Sequence, residues 1–102
     1  MKKTLNKDII LDTINQQHEN IRQFGINKVG LFGSYARDEQ TEKSDIDFIV
    51  EFDEGQKTFK NYMGFIDFSE NIFKKSVDLV TFDTAKHRLL KYIQDEIKYA
   101  QI

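Results

Sequence analysis

Apolar residues follow two rhythms along this chain. Over residues 6–24, Ile10, Ile14, Ile21 and Phe24 recur at helical spacing among Lys, Asn, Gln and Glu, which predicts an amphipathic helix. Gly25 then offers the left-handed residue that commonly ends one. Residues 26–32 are short, rich in β-formers and bounded by glycines, the pattern of a strand running into a turn at Gly33-Ser34. Residues 46–52 alternate. Ile46, Phe48, Val50 and Phe52 point one way, and Asp45, Asp47, Ile49 and Glu51 the other.

The helical rhythm returns after a turn at Asp53-Glu54-Gly55. Phe59, Tyr62, Met63, Ile66 and Phe73 share one face over residues 58–74, widened by Phe65, Phe68 and Ile72. Residues 77–82 predict a third strand. Asp83 is placed to cap a last helix over residues 84–99, with Leu89, Leu90, Ile93 and Ile97 as its apolar stripe. With a short helix opened by Gly33-Ser34, the order is α-β-α-β-α-β-α. This is an α/β (α+β) domain with a small mixed sheet packed by helices. No proline and no Gly/Ser-rich linker divides the chain, so residues 1–102 are read as one domain.

Composition removes several classes of function. The absence of cysteine excludes disulfide frameworks, zinc ribbons and thiol catalysis. A net charge of −2 with only three arginines (Arg22, Arg37, Arg88) lacks the basic footprint of a nucleic-acid binder, so direct nucleic-acid binding is not expected. Met1-Lys2-Lys3 has the basic opening of a secretion signal, but charged and amide side chains repeatedly interrupt residues 4–19. No apolar run approaches membrane-spanning length, so no membrane partner is expected and the expected compartment is the cytoplasm.

The chemistry concentrates in two runs, Leu31-Phe-Gly-Ser-Tyr-Ala-Arg37 and Ser44-Asp-Ile-Asp-Phe-Ile-Val50. Glycine at position 33 lets backbone approach an anion, and the Ser34 hydroxyl can donate to a phosphate oxygen. Asp45 and Asp47, two apart on a strand, project from one face with Cα atoms roughly 6.5–7 Å apart. Hard oxygens so paired suit Mg²⁺, which takes its other ligands from water and substrate phosphates. Asp78 stands in the otherwise apolar run Val77-Asp-Leu-Val80, where a charge is costly unless paired or metal-bound. If that strand lies beside residues 46–52, three carboxylates converge and can hold two Mg²⁺ between a nucleoside triphosphate and an acceptor hydroxyl. Taken singly, each part has an ordinary explanation. Gly-Ser is a common turn, Asp-x-Asp on a strand is usually a solvated face, and Asp78 alone can be an edge charge that discourages aggregation. The joint pattern is what carries the reading.

Gly33-Ser34, ten residues, and Asp45-Ile46-Asp47 form the signature Gly-Ser-x10-Asp-x-Asp, which resembles that of DNA polymerase β-like nucleotidyltransferases. Size and the run LFGSYAR…SDIDFIVEF…VDLV are most similar to the minimal nucleotidyltransferase (MNT) antitoxins encoded beside HEPN-domain toxins. The resemblance covers residues 26–82 with specific motifs and the flanking helices only by position.

It implies a polymerase β-like fold and a reaction in which AMP passes from ATP to a tyrosine of a HEPN ribonuclease. By that resemblance Asp45 and Asp47 ligate Mg²⁺, and Asp78 completes the metal site and orients or deprotonates the tyrosine hydroxyl. Gly33 and Ser34 hold the triphosphate, and Arg37 offsets its charge. Relatives often carry glycine after the arginine, where this chain has Asp38; a carboxylate pointing inward there would weaken triphosphate binding.

The chain has no room for an acceptor-binding domain, which favours a large acceptor with its own docking surface. Surplus aromatics such as Phe59, Tyr62, Phe65, Phe68 and Phe73 could serve docking, though core packing explains most of them. Two alternatives stay open. One is an antitoxin acting by stoichiometric binding alone. The other is a nucleotidyltransferase whose acceptor is a small molecule or RNA. His18 and the cluster Lys86, His87, Arg88 and Lys91 are read as solvated helix faces.

Overall fold

A computed structural model describes residues 4–102; the basic opening Met1-Lys2-Lys3 lies outside the described residues. Helices α1 (Lys7–Gln16) and α2 (His18–Arg22) precede strand β1 (Ile26–Phe32). A single helical turn, α3 (Gly33–Ala36), leads through a loop to β2 (Ile46–Phe52). Helix α4 (Phe59–Phe73) connects β2 to β3 (Val77–Thr81), and α5 (His87–Ile93) and β4 (Lys98–Ala100) complete the order.

Local chemistry accounts for most boundaries. The Asn6 side chain accepts a hydrogen bond from the Ile9 amide at 3.0 Å and starts α1. Thr58 caps α4 in the same way, accepting from the Asn61 amide at 3.1 Å. The predicted first helix is broken at Gln17, whose ψ of 17° leaves the helical region, so residues 6–24 hold two helices. Gly25 takes a φ of +75° and ends the second, as its position predicts.

The sheet order is β3-β2-β1-β4. β1 runs antiparallel to β2 and to β4, while β2 and β3 are parallel, with α4 as the crossover between them. The alternation predicted for β2 is realised. Ile46, Phe48 and Val50 face the same side as Val29 and Leu31 of β1 and Val77 and Leu79 of β3. Ile10, Ile14, Ile21, Phe65 and Phe73 from the helices close over this side into one contiguous core. Phe48 sits at its centre, with the Phe65 ring edge-on at 5.6 Å and the Phe73 ring at 6.3 Å.

The aromatic stripe of α4 divides accordingly. Phe65 and Phe73 are buried, Tyr62 and Phe68 pack at the margin of the core, and Phe59 is 82% exposed. Nothing in the core requires Phe59.

The C-terminal expectation needs correction. Residues 84–99 do not form one helix, and Asp83 does not cap it. The helix spans only His87–Ile93, with Lys86 at its N-cap, and β4 comes after a turn. Asp83 instead faces Lys57, whose Nζ lies 3.3 Å from both carboxylate oxygens. The spacing of Ile93 and Ile97 fits a helix, but β1 offers Val29, Gly30 and Leu31 as partners, and Ala100, Tyr99 and Lys98 pair with them. A non-local edge therefore outcompetes local periodicity.

Candidate active site

The second face of the sheet carries the candidate aspartates. Register places Phe32 opposite Asp47 and Asp47 opposite Asp78, so one row crosses three strands. Asp47 and Asp78 are thus neighbours because β2 and β3 are parallel and unshifted. Asp45 lies exposed immediately before β2, on the side of Asp47.

Chain reversal at the end of β1 sets the other half of the site. Gly33 adopts a φ of +78°, a region that L side chains rarely adopt. It is also closely packed, because a Cβ there would lie 2.1 Å from Oδ2 of Asp47. Only glycine lets the Asp47 carboxylate rest against the backbone that opens α3. Ser34, partly buried in that turn, comes directly after it, and Arg37 stands just past the end of the turn.

Electrostatics sharpen the picture. Burial pushes the Asp47 carboxyl up to about 6, helped by the charge of Asp78, a hydrogen bond shared with it, and the charge of Asp45. Arg37 acts in the opposite direction. Two carboxylates pressed together in this way are relieved by a cation between them. The hard oxygens of Asp47 and Asp78 therefore fit Mg²⁺, which needs only one or two carboxylates besides water and phosphate. The expected trio is not a closed cage. Among the described residues no three His, Cys, Asp or Glu side chains converge into a group that could hold a metal ion, so Asp47 and Asp78 form the pair and Asp45 stands at its rim.

Two side chains behave in ways that the motif alone does not disclose. Asp38 adopts a φ of +59° and pairs with Lys7 of α1, so its carboxylate is held on the surface by a cation. Glu96, in the turn between α5 and β4, reaches back to the site. Its Oε2 accepts from the Gly33 amide at 2.6 Å, and both its oxygens accept from Arg37 Nη1 at 3.2 and 3.1 Å. Glu39 accepts from Arg37 Nε at 3.2 Å, and these carboxylates, Glu39 first, push the guanidinium pKa up. Glu96 lies 63 residues from Gly33 and belongs to no motif, so only the fold reveals it. The basic cluster Lys86, His87, Arg88 and Lys91 is exposed, as is His18.

Residues 12–100 match the nucleotidyltransferase domain family. A Methanocaldococcus jannaschii protein, named provisionally as a protein adenylyltransferase, is 38% identical over 95% of this chain and 98% of its own. The protein adenylyltransferase MntA of Thermococcus cleftensis is 34% identical over 76% of this chain and 77% of its own. Among solved structures, one described provisionally as a minimal nucleotidyltransferase superposes with a TM-score of 0.72. It is 27% identical and covers 95% of this chain and 98% of that one. The complex of tri-AMPylated Shewanella oneidensis HEPN toxin with MNT antitoxin shares the fold, with a TM-score of 0.61 at 18% identity, covering 87% of this chain and 70% of that one. A family match over residues 12–100, relatives above 30% identity along most of their length and a shared fold agree, and this chain is a nucleotidyltransferase of minimal form.

Proposed function

We propose that the protein is an antitoxin that silences a HEPN ribonuclease by transferring AMP from ATP to a tyrosine of that partner. The observation that carries the reading is the in-register pair Asp47 and Asp78, with Asp47 set against the Gly33 backbone, because docking alone has no use for carboxylates crowded together at such cost. Relatives named as protein adenylyltransferases and the fold shared with an MNT antitoxin bound to a tri-AMPylated HEPN toxin support it.

In this reading the Gly33 amide and Ser34 receive the triphosphate, and Arg37 offsets its charge. Asp47 and Asp78, with Asp45 at the rim, would hold Mg²⁺, which when bound neutralises phosphate charge and polarises the α-phosphoryl group. Asp78, exposed beside Asp47, accepts the proton of the tyrosine hydroxyl. The phenolic oxygen attacks the α-phosphorus in line, the bond to the bridging oxygen breaks, and pyrophosphate leaves. Positioning and charge neutralisation supply most of the acceleration. The exposed Phe59 and Tyr92, 82% and 80% accessible, offer apolar surface to an acceptor of protein size. No helix among the described residues is long and apolar enough to cross a membrane. We read the setting as the cytoplasm, where ATP and a ribonuclease target are both present.

The test is to incubate the protein with ATP, Mg²⁺ and the HEPN partner and to weigh the partner by intact mass spectrometry. Stepwise additions of AMP less water are expected, and none with an Asp45→Ala/Asp47→Ala double variant. An unmodified but neutralised toxin would instead support stoichiometric binding. Label found on RNA or a small molecule would move the acceptor to another class.

A further inference from the structure

Glu96 occupies the donors that the nucleotide reading assigns to phosphate. Its carboxylate takes the Gly33 amide at 2.6 Å and Arg37 Nη1 at 3.1 and 3.2 Å, while its side chain is only 16% exposed. A carboxylate and a phosphate present similar anionic oxygens to backbone N–H and guanidinium groups, so both cannot use the same donors at once. The segment that carries Glu96 is short. It is a turn in which the Glu96 and Ile97 amides donate to the Ile93 carbonyl, leading into a three-residue strand paired only with β1. Ile97 fits over Gly30, where a Cβ would lie 2.7 Å from its Cγ2, so the turn rests on the same sheet face as Asp47.

We propose that Glu96 is an internal stand-in for a nucleotide phosphate, holding Gly33 and Arg37 until the triphosphate of ATP displaces it. The displaced turn then loosens its grip on β4, so nucleotide binding is coupled to the position of residues 94–100. This inference rests on the nucleotide reading of the site and adds a positioning residue to it. Glu96 touches neither reacting atom; it acts through Gly33 and Arg37.

The test compares the affinity of wild type, Glu96→Gln and Glu96→Asp for ATP with Mg²⁺ by calorimetry. Glutamine keeps the size but loses the charge, so it competes poorly, and ATP is expected to bind about tenfold more tightly. Aspartate keeps the charge and is expected to stay nearer wild type. A purely structural role would make Glu96→Gln bind ATP more weakly or unchanged. That result, with wild type still binding, overturns the proposal and leaves the nucleotide reading intact. If neither wild type nor variant binds ATP, both fall. Hydrogen exchange on the unmodified chain covers the case of a variant that does not fold. ATP should speed exchange at amides 94–100, and slower or unchanged exchange there overturns the proposal.

Discussion

Asp47 holds the largest electrostatic tension at the level of single residues. Its carboxyl, ordinarily near 3.8, titrates near 6 in the folded chain because burial and Asp78 disfavour its charge. A raised carboxyl pKa means that the ionised form opposes folding. The cost is fully present above pH 6 and is relieved as pH falls through 6 towards 3.8. The metal-free protein should therefore gain thermal stability between pH 7.5 and 5. Asp47→Asn should remove that slope and raise stability at pH 7.5 by about 1 kcal/mol, allowing for partial solvent screening. Thermal melts of both proteins across pH check this. Mg²⁺ at pH 7.5 should raise the melting point of wild type and not of the variant.

Asp38 offers a cleaner comparison. Alanine or glycine at this position loses the Lys7 pair equally, but only glycine accepts a φ of +59° without strain. Asp38→Ala should be about 1 kcal/mol less stable than Asp38→Gly in urea unfolding. ATP affinity should be unchanged in Asp38→Gly, because Lys7 already holds the carboxylate at the surface. The motif residues are legible one by one, since Gly33, Ser34, Asp45 and Asp47 lie in one stretch and Asp78 interrupts an apolar strand. Glu96 is not. A glutamate in a charged C-terminal segment carries no local signal, and its contact with Gly33 arises only when the fold closes 63 residues of chain.

Among the elements, β2, β3 and the helix between them can be read from their periods, and β1 from its run of β-formers between glycines, since its burial does not alternate. The break at Gln17 and strand β4 cannot. Both leave apolar residues at helix-compatible spacing, and β4 exists because β1 has a free edge rather than because Lys98, Tyr99 and Ala100 favour strand. Two glycines hold the elements in place. Gly33→Ala would drive a methyl into Asp47 and strain a left-handed turn, and transfer activity should fall at least about a hundredfold. Gly30→Ala presses on Ile97 instead, whose side chain can yield, so about 1–3 kcal/mol of stability should be lost in denaturant titrations.

At the scale of the molecule, one core under one sheet face must support the site on the other. Phe48→Ala, at the centre of that core, should cost about 3–5 kcal/mol, against about 5–15 kcal/mol in total for a domain of this kind. Equilibrium unfolding will show whether the variant remains folded at 37 °C. The general architecture is legible because a small chain must spend its apolar stripes on a single interior.

The α4 crossover also sets a schedule for the newborn protein. While the chain leaves the ribosome, β1 and β2 can pair first, since their connection, residues 33–45, is complete before the crossover and β3 are made. Asp47 then exists with no companion. The acidic pair is complete only after the later strand has been synthesised and slotted alongside, so on the proposed role of Asp78 an unfinished polypeptide is inactive.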